Sequence, residues 1–336
     1  MQKLFYSKIV VAVLVLAAVA VPVDAQQPEE QIDATGQGLE VSPPVIELDA
    51  DPGERVVTEV NVRNITEIDV RASGTVEDFV ARDETGEPRI LLDTEEESPY
   101  PLAAYVEDVP DLTIEPAEQE TAEIVINVPE DASPGGHFGV VRFSGEPADP
   151  TREESAVAIS ASIGSLILLN VSGDIEEDLA VEELAVAQDG EQGQLFQTGP
   201  FDFITRLENR GNVYLQPQGE LRITNLIGQE VATIPFNVDE GEEFNLANVL
   251  PDQVRRFEEH YDDKPFWFGR YTLTVDLEYG EDNQEVTAST DFWVIPYVMV
   301  GVILLMLIAV GFFGRKALKA YKQNVIKKYQ QQNRQQ

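Results

Sequence analysis

The sequence of 336 residues contains no cysteine. This absence excludes disulfide bonds, thiolate metal sites and cysteine nucleophiles. A secreted domain in this chain must therefore be held together by its hydrophobic core alone, which a domain of roughly 100–150 residues can supply. The length allows two domains of that size.

Histidine is nearly as scarce, since only His137 and His260 are present. Neither has a second histidine at metal-ligand spacing, and the sequence lacks HExxH, Gly-x-Ser-x-Gly and phosphate-loop motifs. We expect His137 to be a solvated residue at a strand start and His260 to be a partly exposed residue at a helix end. The sequence predicts no enzyme, no catalytic residues, no metal site and no cofactor. A hydrolase with dispersed carboxylates is the enzymatic alternative, although nothing selects a pair of acids.

Positive charge is scarce between Gln26 and Asp291, where Lys264 is the single lysine. This segment holds 14 basic and 60 acidic residues and has a net charge of −46. Such a charge repels nucleic acid, which is not an expected partner. Three interpretations stay open: a hydrated surface, a high-salt habitat, or recruitment of a cationic partner or divalent ions. Asp49-Ala50-Asp51 and Glu281-Asp282 offer oxygen atoms for Ca²⁺, but neither has the ligand count of a known calcium loop.

The N-terminal residues are typical of a secretory signal. Residues 1–25 contain two lysines, an apolar middle and small residues at the end. This pattern predicts a signal peptide cleaved after Ala25, with an uncleaved anchor as the alternative. Residues 26–38 are polar and lack apolar periodicity, so we expect a disordered lead-in.

A charge-free apolar run covers residues 293–313. A helix of this length is about 30 Å long and crosses one bilayer core. Trp293 and Tyr297 suit the outer interface, and the basic residues after the run predict a cytoplasmic C-terminus. These basic residues include Arg315, Lys316 and Lys319. The chain is thus predicted to be a single-pass protein of the cell membrane, with its N-terminal domains outside. For the basic tail, 314–336, an amphipathic helix on the inner leaflet and a helical extension of the membrane segment are both open.

Between the two ends, short alternating apolar runs are separated by turn residues, which is the pattern of an all-β protein. We predict two tandem immunoglobulin-like β-sandwiches, 39–172 and 178–291, plus the C-terminal transmembrane helix. Residues 251–261 (PDQVRRFEEHY) have proline and aspartate at their start and a helical spacing of apolar residues, so they predict a short helix.

Two stretches of the sequence repeat one pattern: VRNITEIDVRASGTV and LENRGNVYLQPQGEL. Asn64 in the first and Asn209 in the second are each followed ten residues later by a glycine, Gly74 or Gly219. The apolar positions keep the same parity in both, which indicates the same strand register. Asn64 also fits a glycan acceptor pattern, but we interpret both asparagines as turn residues that join two strands.

A resemblance to a known family rests on LEVSPPVIELDADPGERVVTEVNVRN and LTIEPAEQETAEIVINVPEDASPGGHFGVVRFSG. These stretches resemble the N-terminal domain of the WxL-interacting proteins, surface proteins with a signal peptide, two immunoglobulin-like domains, one transmembrane helix and a basic tail. The resemblance implies that the first domain binds peptidoglycan and the second engages other surface components. The second domain departs more from the family pattern.

Three aromatic residues, Phe266, Trp267 and Phe268, form the densest aromatic group outside the membrane segment. They are either an exposed partner surface or a packing group between the predicted helix and the sheet. For the whole chain, the sequence predicts a surface protein that binds cell-wall polymer or secreted surface proteins. The alternative is a spacer subunit of a membrane assembly or signalling complex, with the basic tail as its contact.

Overall fold

The computed structural model of the chain describes residues 38–92, 96–148, 161–238, 246–262 and 268–332. The predicted signal peptide and all but the last residue of the predicted lead-in lie outside these ranges. Most of the described chain is β-strand, and one long helix follows at its C-terminal end.

The strands of the described ranges fall into two consecutive groups. The first group contains β1 (Leu39–Ser42), β2 (Val45–Ala50), β3 (Arg55–Asn64), β4 (Val70–Arg82), β5 (Glu87–Ile90), β6 (Leu112–Ile114), β7 (Gln119–Asn127), β8 (Gly135–Pro147) and β9 (Ala161–Val171). The second contains β10 (Leu179–Gln188), β11 (Glu191–Gly193), β12 (Leu195–Phe196), β13 (Phe201–Asn209), β14 (Gln218–Asn225), β15 (Glu230–Phe236), β16 (Gln253–Tyr261), β17 (Gly269–Tyr279) and β18 (Gln284–Val294). A 3₁₀ turn covers Ala103–Tyr105, and the helix α1 covers Tyr297–Gln332.

The first sandwich consists of β1 to β9. One sheet has the order β1-β3-β7, and the other has the order β2-β9-β8-β4-β5 with β6 paired to β4. Val60 of β3 pairs with Ala122 of β7, and both side chains are fully buried. Phe143 and Ile167 from the other sheet complete the same core. Apolar and polar residues alternate along these strands, and this places the apolar side chains on one buried face, as predicted.

The second sandwich consists of β10 to β18 and has its own core. Its sheets have the orders β11-β10-β13-β16 and β12-β18-β17-β14-β15. Phe201 and Phe203 of one sheet pack against Phe292 of the other, with ring centroids 5.5 Å and 6.4 Å apart. No strand lies between Val171 and Leu179, where the chain passes from one core to the other. The fold is therefore two tandem immunoglobulin-like sandwiches followed by one helix, as predicted.

The predicted helix at 251–261 is wrong, because Gln253–Tyr261 form β16 and pair with β13 along the whole strand. The helical spacing was that of Val254 with Phe257, three residues apart, and a strand places two such residues on opposite faces. Asp252 has a φ of 55°, so a turn precedes the strand. Exposed and buried residues alternate after Arg255, and this period of two is that of a strand.

The repeated asparagines make the same hydrogen bonds in both sandwiches. Asn64 and Asn209 are fully buried. In the first sandwich, the Asn64 amide donates to the carbonyls of Ile68 (2.7 Å) and Ile114 (3.0 Å), and its Oδ1 accepts the Thr66 N–H (2.9 Å). In the second, the Asn209 amide donates to the carbonyls of Val213 (2.8 Å) and Val249 (2.8 Å), and its Oδ1 accepts the Gly211 N–H (2.9 Å). In both, one carbonyl is four residues later and the other is on a distant segment. The repeated sequence is therefore a repeated turn, and Asn64 is not accessible as a glycan acceptor.

The helix α1 follows β18 after only Ile295 and Pro296. The predicted membrane segment, 293–313, overlaps α1, although its first two residues belong to β18. Residues Tyr297–Lys319 are long and apolar enough to cross a membrane, and none of this stretch is buried against the sandwiches. The helix continues to Gln332, so the described part of the tail has the form of a helical extension.

Candidate functional site at the junction of the two sandwiches

The predicted aromatic partner surface lies mostly outside the described residues, which do not include Phe266 and Trp267. Phe268 directly precedes β17 and is 59% exposed. The packing alternative loses its basis because the helix against which the rings were expected to pack is a strand. The role of the three rings as a partner surface stays a prediction.

The predicted membrane-flanking residues follow the chain from β18 into α1. Trp293 lies on β18 with an exposed ring, and Tyr297 is the first residue of α1. The Gln197 side-chain amide donates to the Tyr297 hydroxyl, so the start of the helix is tied to the second sandwich. Arg315, Lys316 and Lys319 lie on α1, directly after its apolar part.

An aromatic cluster joins the two sandwiches. Phe138 of β8 is 1% exposed and lies between rings of both sandwiches. Its centroid is 6.1 Å from that of Phe79, 5.7 Å from Tyr100 and 6.4 Å from Tyr214 of the second sandwich. Leu250, also of the second sandwich, packs against this cluster. Buried aromatic contact of this kind holds the sandwiches in one arrangement.

Hydrogen bonds reinforce the junction on both sides of this cluster. The turn after β4 reaches the second sandwich, where the Arg206 guanidinium donates to Glu84 with an Nε–Oε2 distance of 2.8 Å. The backbone N–H of Arg256 donates to the Glu84 carbonyl at 2.7 Å. Arg206 lowers the pKa of the Glu84 carboxyl, chiefly through the hydrogen bond. Elsewhere the Tyr100 hydroxyl donates to Asp252 at 2.6 Å.

The Glu84–Arg206 pair should contribute measurably to the junction. The side chains are 41% and 25% exposed, so solvent screening limits their coupling energy to about 1 kcal/mol in a double-mutant cycle of Glu84→Gln and Arg206→Gln. The matched control is the exposed pair Arg63–Glu40, 3.6 Å apart, for which we expect coupling near zero. Urea denaturation of the four proteins of each cycle gives both values. Equal coupling in the two cycles would contradict a role of Glu84–Arg206 in the junction.

The two histidines depart from the predictions in different ways, because His137 lies at the start of β8 as predicted but is packed instead of solvated. His137 is 3% exposed, because its ring fits between two backbone carbonyls and packs against Tyr105. Its Nδ1 is 2.7 Å from the Pro101 oxygen and its Nε2 is 2.9 Å from the Ser133 oxygen. It is thus a packed residue of the first sandwich. His260 lies on β16 instead of at a helix end, with Nδ1 2.7 Å from the Asp202 carboxylate.

His260 should titrate above its ordinary pKa of 6.5, because the hydrogen bond to Asp202 raises its pKa. Folding therefore favours the protonated ring. The stability that the pair contributes is fully present below the unfolded pKa and is lost as pH rises through the folded pKa. An NMR titration of the two histidine rings measures this value. Asp202→Asn should lower the His260 midpoint, and an unchanged midpoint would contradict the pairing.

A polar cleft of about 600 Å³ opens between the sandwiches. Asp49 and Asn170 line it from the first sandwich, and Tyr214, Gln218 and Glu278 line it from the second. Burial, followed by the nearby carboxylates, raises the pKa of the Tyr214 hydroxyl, which therefore stays a neutral hydrogen-bond donor. The Asn170 Oδ1 is buried and accepts no hydrogen bond among the described residues. The cleft thus combines an aromatic ring with amide, hydroxyl and carboxylate groups.

A smaller, more apolar pocket of about 240 Å³ lies elsewhere at the junction. Arg255 lines it, and its Nη1 donates to the Asn248 carbonyl at 2.6 Å. Its guanidinium lies over the Phe257 ring, 5.4 Å from the centroid. Burial lowers the pKa of Arg255, and no carboxylate pairs with it among the described residues. Gly86 allows this approach, since a Cβ there would lie 2.4 Å from the Arg255 Cζ.

The two acidic segments considered for Ca²⁺ are far apart in the sequence, but the fold brings them to one cleft, which Asp49 and Glu281 both line. Within the part of the chain that the structure describes, no group of three or more acidic or histidine side chains is placed to hold a metal ion. The absence of a metal, of a cofactor and of enzymatic activity stays a prediction.

The cleft and the junction were not found from the sequence. Their residues belong to segments far apart in the chain, and each one fits an ordinary strand or turn. One usable signal is Tyr214, an aromatic residue on the polar side of a strand pattern, between the buried Val213 and Leu215.

Comparisons with known proteins found similar solved structures but no matching family and no curated relative. The resemblance to the WxL-interacting proteins therefore stays a prediction. Among solved structures, the class 5 fimbriae chaperone CfaA is 11% identical, with 75% of this chain and 98% of that chain covered and a TM-score of 0.38. The E. coli chaperone DraB is 14% identical, with 76% and 96% covered and a TM-score of 0.30.

A third similar chain comes from the Salmonella enterica SafA pilin in complex with the SafB chaperone. It is 13% identical, with 77% of this chain and 97% of that chain covered and a TM-score of 0.32. At these identities and TM-scores, the likeness carries no information about what this chain binds.

Proposed function

We propose that this protein is a non-catalytic surface protein, anchored in the cell membrane by α1, whose two sandwiches bind a cell-wall polymer or a secreted surface protein. The observation that carries the proposal is the open polar cleft between the sandwiches. Ligand sites form preferentially between domains, and a volume of about 300–1,000 Å³ is typical.

The chemistry of the cleft supports a ligand that is rich in hydroxyl, amide and amino groups. The Tyr214 ring offers an apolar face and a hydroxyl, and Gln216 and Gln218 offer amides. The exposed Glu278 carboxylate attracts positive charge. Glycan and peptide polymers carry the matching groups.

The anchoring half of the proposal rests on the apolar stretch of α1 and on the residues after it. Arg315, Lys316 and Lys319 follow that stretch at once and favour a cytoplasmic C-terminus. The sandwiches are then outside the cell, where the net charge of −46 between residues 26 and 291 favours solubility.

The alternative function, a spacer subunit whose basic tail makes the contact, is favoured by the helical tail of α1. Deletion of residues 315–336 separates the two functions. Surface binding that persists while the cellular phenotype disappears supports the spacer subunit. If the deletion leaves both surface binding and the cellular phenotype intact, the result supports the surface-binding protein.

The test of the binding proposal is retention of the purified protein on isolated wall material and on immobilised secreted proteins. Glu278→Arg reverses a charge in the cleft, and we expect it to lower retention at least fivefold. The matched control is Glu123→Arg on β7, an exposed residue outside the cleft, which should leave retention unchanged. Retention of none of the three proteins at any salt concentration would contradict the proposal.

A further inference from the structure

The end of the second sandwich from which α1 leaves carries exposed apolar side chains on separate segments. They come from β12, from the hairpin tip between β14 and β15, from the residue before β17, and from β18. These side chains, hereafter the apolar rim, are Leu195 (65% exposed), Leu226 (70%), Ile227 (76%), Phe268 (59%) and Trp293 (43%).

The strand register places the rim at one level of the sheet. Leu195 pairs with Trp293, and Trp293 pairs with Arg270. Leu226 is one residue beyond Asn225, whose partner is Tyr271, so the register carries Leu226 to the level of Arg270. Neighbouring strands are about 4.8 Å apart, so the row from Leu195 to Leu226 spans about 14 Å.

The hairpin tip is built to present its two aliphatic residues. The Asn225 Oδ1 accepts the backbone N–H groups of Ile227 at 3.1 Å and Gln229 at 2.9 Å. Gly228 supplies the positive φ of 76° that closes the turn. Hairpin tips are usually polar, because they face water. The hydrogen-bonded tip thus holds a leucine and an isoleucine toward solvent.

The connection to α1 brings the rim close to the level at which the apolar helix starts. Only Ile295 and Pro296 separate β18 from Tyr297. The Ile295 N–H donates to the Phe196 carbonyl at 2.7 Å, and Gln197 binds the Tyr297 hydroxyl. Trp293 is four residues before Tyr297, so at most about 13 Å of extended chain separates the rim from the start of the helix. The Gln197–Tyr297 contact shortens this path, because Gln197 is only two residues from Leu195 of the rim. The headgroup layer of a bilayer is about 5–8 Å thick on each side, so the shorter path is comparable with the thickness of this layer.

We propose that the apolar rim rests in the outer headgroup layer of the membrane that α1 crosses, so that the second sandwich docks on the lipid surface. The inference rests on the proposed membrane anchoring and is independent of the ligand in the cleft. The occupant opposite the rim is the lipid itself, because the rim is continuous with the predicted membrane segment through Trp293 and Tyr297.

The charges at this end favour zwitterionic over anionic lipid. Arg270 pairs with Asp291, and His260 pairs with Asp202. Asp262 is exposed beside them, and the segment from residue 26 to residue 291 has a net charge of −46. The rim therefore enters the headgroup layer through its apolar side chains, and phosphatidylcholine is the matching surface.

The test uses the full chain in phosphatidylcholine nanodiscs, one protein per disc. Since the chain has no cysteine, Ile227→Cys, Asp282→Cys and Leu305→Cys each give one unique spin label. Asp282 lies in the hairpin at the opposite end of β17 and β18, and Leu305 lies in the apolar part of α1. We expect the label at 227 to be protected from an aqueous nickel chelate and accessible to oxygen, and the label at 282 to show the reverse.

The outcomes distinguish the inference from the proposed function. An aqueous label at 227 together with a lipid-buried label at 305 overturns the docked rim and leaves the anchoring intact. An aqueous label at 305 overturns the anchoring itself.

A second measurement keeps the rim residues unlabelled. It measures energy transfer from a dye at Asp282→Cys to an acceptor dye on the lipid headgroups. The measurement is made in two proteins, one with the native hairpin tip and one with the double substitution Leu226→Ser/Ile227→Ser. The docked rim predicts a narrow distance distribution that widens at least twofold in the serine variant. The same width in both proteins would contradict docking.

Discussion

Asn64→Ala should lower the free energy of unfolding of the first sandwich by about 3–5 kcal/mol, and Asn209→Ala should do the same in the second. Removal of the Asn64 side chain leaves the buried Ile114 carbonyl without this donor and the Thr66 N–H without this acceptor, while the part-buried Ile68 carbonyl keeps the Thr66 hydroxyl. Each buried polar group without a partner costs about 1–3 kcal/mol. Urea denaturation followed by circular dichroism measures the loss.

The control for this prediction is Asn61→Ala on the same strand. The Asn61 side chain accepts a hydrogen bond from the exposed Thr121 hydroxyl at 2.8 Å, and its loss should change stability by less than about 0.5 kcal/mol. Asn64→Asp keeps the acceptor, removes the donor and places a carboxylate among carbonyls, so it should destabilise at least as much as Asn64→Ala. Equal effects at Asn61 and Asn64 would contradict the structural role of the repeat.

Phe138→Ala should have the second large effect and should act on the junction. The ring is 1% exposed and contacts Phe79, Tyr100 and Tyr214. Truncation of a buried phenylalanine costs about 3–5 kcal/mol. Since Tyr214 belongs to the second sandwich, part of this loss appears as freer movement between the sandwiches. Small-angle X-ray scattering detects it as an increase in the maximum dimension of the protein.

The matched control is Phe143→Ala on the same strand. Phe143 is also fully buried, but it belongs to the core of the first sandwich. We expect a similar loss of stability without a change in the scattering curve of the folded protein. A junction that loosens equally in both variants would mean that Phe138 has no special part in it.

The architecture was predictable because apolar parity and turn residues are local signals. Val60 and Ala122 alternate with polar neighbours, and the repeated asparagines mark equivalent turns in both sandwiches. The helix at 251–261 failed because the three-residue spacing of Val254 and Phe257 matches one face of a helix, whereas in β16 these two residues lie on opposite faces of the strand. The strand conformation of these residues is selected by their pairing with β13, which is distant in the sequence.

The candidate site was not predictable because it depends on how one sandwich sits on the other. Asp49 and Glu281 line one cleft from opposite ends of the sequence, and no periodicity relates them. The burial of His137 has a similar origin, since the carbonyls of Pro101 and Ser133 that hold its ring belong to separate loops.

The binding proposal depends on the two sandwiches forming one rigid body with a cleft between them. The most direct test is the distance between spin labels on Glu123→Cys in the first sandwich and Asp282→Cys in the second, measured by pulsed electron resonance. The rigid junction predicts one narrow distance distribution. A broad distribution, as expected for two sandwiches on a flexible linker, would contradict the claim and remove the cleft as a binding site.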